Sequence, residues 1–177
     1  MGSSNQANTN RLWYPSFVWL SSTIASSEKY QEALALIDSI THKFPPLNPL
    51  DKMYLAYVKG LSYYRLKQPS PAEKNLEEAF AIADQLSSQP QMFNDVSQIY
   101  LKTASMYSSG GDMKKAKECL QKALALKTGF RDLISNVDLA LIQFKIDSSE
   151  GKYLSAIQRY QRYEQLNDSG FNLKKTR

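Results

Sequence analysis

The side chains best suited to catalysis are few in this chain, which has one cysteine and one histidine among 177 residues. Cys119 lies in a stretch with the apolar spacing of a helix, and we expect a structural thiol, because a reactive cysteine needs an exposed, electropositive site. His42 lies near the predicted C-terminal end of a helix, three residues before Pro45. A positively charged side chain there interacts favourably with the helix dipole. A single Cys and a single His exclude an intramolecular disulfide and multi-Cys or multi-His metal sites. We therefore expect no metal and no cofactor.

Two acidic pairs, Glu77 with Glu78 and Asp147 with Glu150, are the remaining candidates for acid–base chemistry. Glu77 and Glu78 are adjacent on a predicted helix and point in different directions, so we expect them to be solvated. Catalysis needs a nucleophile or base positioned by partner groups, and these pairs do not supply one. The sequence predicts a chain without enzymatic activity.

The net charge is +5, and its excess lies in residues 91–129 and in the last eleven residues. One lysine cluster could bind nucleic acid; it comprises Lys114, Lys115, Lys117, Lys122 and Lys127. Because these lysines lie on a strongly amphipathic helix, we interpret them as its solvated face. Nucleic-acid binding stays a less favoured alternative, which salt dependence would separate from the others.

Helical spacing of apolar residues runs along most of the chain, and strand signals are nearly absent, which predicts an all-α fold. Prolines and glycines mark the boundaries between helices. We predict eight helices, at about 14–26, 28–43, 50–67, 71–88, 91–109, 112–127, 130–149 and 152–166. Helices joined by two to four residues lie antiparallel. No run approaches the roughly 18 apolar residues of a membrane span, so we expect no membrane contact.

A repeat is visible in the second helix of each predicted pair. Four segments align on Ala33, Ala72, Ala116 and Ala156, with spacings of 39, 44 and 40 residues between the aligned positions. Small residues in the first helices, such as Gly60 and Ala104, complement them. Small side chains let two helices approach closely, and larger side chains one or two turns away fill the space to the next pair.

These segments resemble the tetratricopeptide repeat (TPR). The third is the best match: Tyr100…Ala104…Tyr107…Gly111-Asp112-Met113…Ala116…Leu120…Ala123. The resemblance implies a right-handed α-solenoid of about four helix pairs, over residues 13–167. The period is about 40 residues, against roughly 34 in the family. Asp147 stands where the fourth repeat would carry an aromatic residue.

In this kind of solenoid the first helix of each pair lines the concave face, and the resemblance places three sets of side chains there. They are Tyr57, Leu61, Tyr64 and Arg65 from the second repeat, Gln98, Leu101, Ser105 and Ser108 from the third, and Asp138, Leu141 and Lys145 from the fourth. Tyrosine rings with a few charged and amide groups suit an extended peptide. We expect a protein or peptide ligand.

Residues 144–175 are similar to the last repeat of a group of Bacteroidetes sensor histidine kinases, in which repeats precede a connector and the kinase core. The similarity implies the input region of a two-component kinase, with the kinase module downstream in cis. The alternative is a stand-alone TPR adaptor or a peptide-sensing regulator. The compartment stays open between bacterial cytoplasm and periplasm, and a homodimer is possible.

The sequence also predicts the structure of the first and the last residues of the chain. Residues 1–12 hold few apolar and charged side chains, and we expect a disordered tail or the remnant of a tag. Asn167-Asp168-Ser169 offers helix-capping residues, and the apolar Phe171 and Leu173 follow. Residues 168–177 are therefore predicted to begin a connector helix that the chain cuts off.

Overall fold

The computed structural model describes the backbone of residues 3–126 and 133–175, and the side chains of residues 14–126 and 135–168. These residues form helices joined by short turns and contain no strand. The α-helices are α1 (Ser3–Ser26), α2 (Tyr30–Lys43), α3 (Pro49–Arg65), α4 (Pro69–Leu86), α5 (Phe93–Ser109), α6 (Met113–Ala125), α7 (Leu133–Ser149) and α8 (Tyr153–Lys175); a 3₁₀ turn at Pro90–Met92 precedes α5. The prediction of an all-α chain with eight helices is confirmed.

The first and the last helix are longer than the sequence predicted. Residues 3–12, expected to be disordered, belong to α1, which carries Pro15 in its interior. The capping residues Asp168 and Ser169 lie inside α8, which continues to Lys175 without a break. Extending an existing helix costs far less than starting a new one, so weak local signals do not fix these two boundaries.

The chain divides into two compact units, residues 1–88 and residues 89–177. Unit 1 contains the helix pairs α1–α2 and α3–α4, and unit 2 contains α5–α6 and α7–α8. Within unit 1, α3 packs against both helices of the preceding pair, and within unit 2, α7 does the same. Each unit is therefore built from two helical hairpins, the second of which covers one side of the first.

The four turns inside the pairs share one backbone conformation. Each contains one residue with positive φ, at Glu28 (62°), Lys67 (60°), Gly111 (88°) and Gly151 (73°). The amide of the next residue donates to a carbonyl five residues back, at 3.2, 2.9, 3.0 and 2.8 Å respectively. This hydrogen bond and the left-handed residue define a Schellman-type helix end. The turns recur with spacings of 39, 44 and 40 residues, the same spacings as the aligned alanines.

The aligned alanines are all buried, as the repeat predicted. Each lies five residues after the left-handed turn residue, and its amide donates to the carbonyl four residues earlier, at 2.9 to 3.2 Å. The turn thus starts the second helix in the same register in every pair, so that its small residue faces the first helix. In each of the four pairs, the turn residues thus determine the register between the two helices.

Lys67 holds a left-handed conformation that disfavours any side chain with a Cβ atom. We expect Lys67→Gly to raise the free energy of unfolding of the chain by about 0.5–1 kcal/mol, measured by urea denaturation. Gly151→Ala, at the equivalent turn, is the opposite control and should lower that free energy by a similar amount. No change in either variant would contradict the shared turn conformation.

The close approach that small residues were predicted to allow is present between α3 and α4. A Cβ atom added to Gly60 would lie 2.7 Å from Leu76 Cγ and 3.2 Å from the Leu76 backbone nitrogen. Ser21 in α1 and Ala104 in α5 occupy the same register as Gly60 and are buried. The first three pairs thus carry a small residue at this buried position, as close-packed interiors require where two helices come near each other.

The fourth pair departs from this rule. Phe144 occupies the register of Gly60, and Tyr160 that of Leu76. The two rings are in contact, with centroids 5.2 Å apart and planes inclined by 56°. Tyr160 stays 41% exposed, because an aromatic ring in the small-residue position leaves no room for full burial.

Candidate binding surfaces

A cleft of about 200 Å³ opens on unit 1 between α2, α3 and α4. Aliphatic side chains form one part of its lining and polar side chains form the other. The lining comprises Ile37, Thr41, Pro46, Lys52, Leu55, Ala56, Lys59, Asn75 and Glu78. Such a cleft suits an apolar side chain that carries or neighbours a charged group.

The charged groups of the cleft are Lys52 and Lys59 of α3 and Glu78 of α4. Lys59 Nζ donates to Asp38 Oδ1 at 2.6 Å, which leaves that charge largely neutralised. Lys52 is exposed, and no carboxylate within the described residues forms an ion pair with it. Lys52 is thus the cation of the cleft that a ligand carboxylate would meet first.

Sequence reasoning missed this cleft. Lys52 and Lys59 are seven residues apart, so they share one face of α3. This spacing predicts that the two lysines lie on the same face of α3. It does not predict that α2 and α4 border that face and form a cleft with it.

The groove residues predicted on α3 have very different exposures. Tyr57 is buried and belongs to the core of the protein. Leu61 and Tyr64 are half-buried, and Arg65 at the end of α3 is exposed. Tyr64 and Arg65 therefore keep exposed surface for a ligand, whereas Tyr57 is only 6% exposed.

The groove residues predicted in unit 2 also divide into two groups. Leu101 and Ser108 are buried. Gln98 is half-buried, and its Nε2 donates to Ser135 Oγ at 2.8 Å, which ties α5 to α7. The remaining residues of the set are half-buried: Ser105, Asp138, Leu141 and Lys145.

The candidate catalytic groups have structural surroundings. Burial raises the pKa of the Cys119 thiol to about 12, so it stays protonated in the neutral range. Hydrogen bonds from Lys117 and Lys152 lower the pKa of Glu150 to about 2. Asp147 accepts from Ser155 Oγ at 2.6 Å. These carboxylates fasten the α7–α8 turn rather than face each other across a substrate site.

The lysine face of α6 is partly used for packing within unit 2. Lys115 lies over the Tyr107 ring at 5.5 Å, and Lys122 lies over the Tyr100 ring at 5.1 Å. Lys117 forms an ion pair with Glu150. Lys114 is exposed, and Lys127 lies outside the described residues. Cation–π contacts of this kind hold α6 against α5, which supports a structural role for these lysines.

A polar cluster in which Tyr14 and Asp51 are buried joins α1 to the start of α3. Asn48 caps α3, since its Oδ1 accepts from the Asp51 amide at 2.8 Å and its Nδ2 donates to Asp51 Oδ2 at 2.5 Å. Tyr14 donates to the Phe44 carbonyl at 3.1 Å. Burial and the Asp51 charge raise the pKa of Tyr14 to about 12, and burial raises that of Asp51. The cluster fixes the α2–α3 loop that borders the cleft.

Within the described part of the chain, no three His, Cys, Asp or Glu side chains are grouped so that they could hold a metal ion. None of the described helices combines the length and the hydropathy of a membrane-spanning segment. Comparison of the chain with family models, with curated proteins and with solved structures found no match.

Proposed function

We propose that this chain is a non-catalytic, TPR-like right-handed α-solenoid that binds a protein or a peptide. The observation that carries the proposal is the repetition of one helical hairpin four times, with the same turn and the same buried alanine in each. Stacked hairpins of this kind build extended surfaces from neighbouring repeats. Such surfaces suit extended or helical polypeptides better than small substrates.

Two surfaces are the candidates for the ligand. One is the cleft of unit 1, where Lys52 supplies a cation beside the aliphatic side chains of Ile37 and Leu55. The other is the part of the predicted groove on α3, where Arg65 is the exposed charge. Both present positive charge next to apolar surface, so we expect a ligand segment with an acidic group beside an apolar side chain.

We further propose that the module is the input region of a bacterial sensor histidine kinase. The support for this proposal is the similarity of residues 144–175 to the last repeat of such proteins. Ligand binding would shift the population of helix-packing states, and α8 would transmit the change to a kinase module in cis. A kinase core in the same reading frame downstream of residue 177 would support this role, and its absence would favour an adaptor.

Thermal stabilisation by a library of acidic and neutral peptides tests the binding function directly. A ligand of the folded state raises stability by about 2.7 kcal/mol at 100 times its Kd, which appears as a higher Tm. We expect a binding peptide to lose its effect in Lys52→Ala if it occupies the cleft and in Arg65→Ala if it occupies the groove.

Lys114→Ala removes an exposed lysine that is neither a lining residue of the cleft nor a residue of the predicted groove, and it is the matched control. A stabilising peptide whose effect survives both test variants would contradict the two candidate surfaces. If no peptide raises the Tm, the proposal of a peptide-binding module fails.

A further inference from the structure

Two exposed apolar faces lie on the first and the last helix of the chain. The head face, on α1, consists of Trp19 and Leu20, and Trp19 is 68% exposed. The tail face, on α8, consists of Tyr153, Leu154 and Ile157, which are 70%, 82% and 54% exposed. Neighbouring apolar side chains with this exposure are typical of interaction surfaces.

The other helix pairs show what covers the position that Trp19 occupies in α1, here called the head position. Nine residues before the left-handed turn residue, α3 carries Val58 and α7 carries Ile142, and both are fully buried. Each of these helices packs against a preceding pair in its own unit. The same position is Trp19 in α1. An apolar residue at this position is thus buried where a preceding pair of the same unit packs against it.

The position that Ile157 occupies in α8, here called the tail position, lies against the following pair rather than the preceding one. Six residues after the turn residue, α2 carries the buried Leu34 and α6 carries Lys117, which forms an ion pair with Glu150 at the end of α7. Both helices pack against a following pair. The equivalent residue of α8 is the exposed Ile157. Ile157 thus occupies a position that contacts a following pair in α2 and in α6.

We infer that the tail face of one molecule packs against the head face of a second copy, so that copies associate head to tail. This contact continues the interfaces already present between α2 and α3 and between α6 and α7. In the first of these, Asp38 accepts from Lys59. The residue of α8 equivalent to Asp38 is Gln161, and the residue of α1 equivalent to Lys59 is Leu20. Stacking therefore buries no unpaired charge at that point, which would otherwise oppose association.

Because the two faces differ, the association is heterologous and does not stop at a dimer. Light scattering over a concentration series tests this. We expect the average mass of the intact chain to rise past that of a dimer as concentration increases. Trp19→Glu and Ile157→Glu should each stay monomeric. An equimolar mixture of these two variants should form a dimer and stop there, since each supplies the one face that the other lacks.

Leu47→Glu is the matched control, because Leu47 lies in the α2–α3 loop with 57% exposure and belongs to neither face. It should associate like the unaltered chain. Tyr153→Glu is a second tail-face variant in case Ile157→Glu lowers the Tm, because the equivalent residues Tyr30 and Met113 are half-buried. A chain that stays monomeric up to millimolar concentration would overturn the inference. A dimer that dissociates only in the α8 variants would also overturn it. The same holds if the mixture of Trp19→Glu and Ile157→Glu does not form a dimer.

Discussion

Gly60→Ala is expected to lower the free energy of unfolding by about 2 kcal/mol, although alanine is the better helix former by about 1 kcal/mol. The added methyl group would lie 2.7 Å from Leu76 Cγ and 2.8 Å from Leu76 Cδ2, in a place with no open space. Leu76 is buried and cannot turn away without displacing its own neighbours. Urea denaturation of the variant measures the loss.

A double-mutant cycle with Leu76→Ala provides the control. Alone, Leu76→Ala should cost about 2–5 kcal/mol, as large core truncations do. In the Gly60→Ala background it should cost at least about 1 kcal/mol less, because the smaller side chain relieves the collision. Simple additivity of the two changes would contradict the close approach of α3 and α4 at this point.

Tyr100→Ala is expected to lower the free energy of unfolding by about 3–5 kcal/mol. Tyr100 is 2% exposed and is the largest fully buried side chain among the described residues. Its removal would leave a cavity in unit 2 and would end the contact of Lys122 with its ring. The loss can be measured by urea denaturation of the chain, followed by circular dichroism.

Tyr153→Ala is the matched control, because Tyr153 is a repeat tyrosine of the same unit that is 70% exposed. It should change the free energy of unfolding by no more than about 0.5 kcal/mol in dilute solution. Equal effects of the two variants would mean that exposure does not distinguish these tyrosines, contrary to the structure.

The two tyrosines show how far the sequence alone could reach. Both fall on helical positions of the repeat, and periodicity treats them alike. Periodicity identifies the face of a helix on which a residue lies, but not whether another helix covers that face. Tyr57 illustrates the same limit, since it was predicted in a ligand groove and is buried.

The cleft of unit 1 could not be predicted for a related reason. Its lining comes from three helices and one loop that are up to 41 residues apart, from Ile37 to Glu78. The sequence predicts each helix separately, while the angles and distances between helices follow from packing of all their side chains. A cleft is a property of those angles.

What the sequence determined by itself is the local pattern of this protein. Apolar spacing, the prolines and glycines at the boundaries and the four aligned alanines each depend on contacts within one hairpin, and the structure has the eight helices and the buried alanines in those places. Tertiary structure alone decided the burial of Tyr57 and Leu101 and the exposure of Ile157. The reason is that burial depends on which element lies opposite, and that element is distant in sequence.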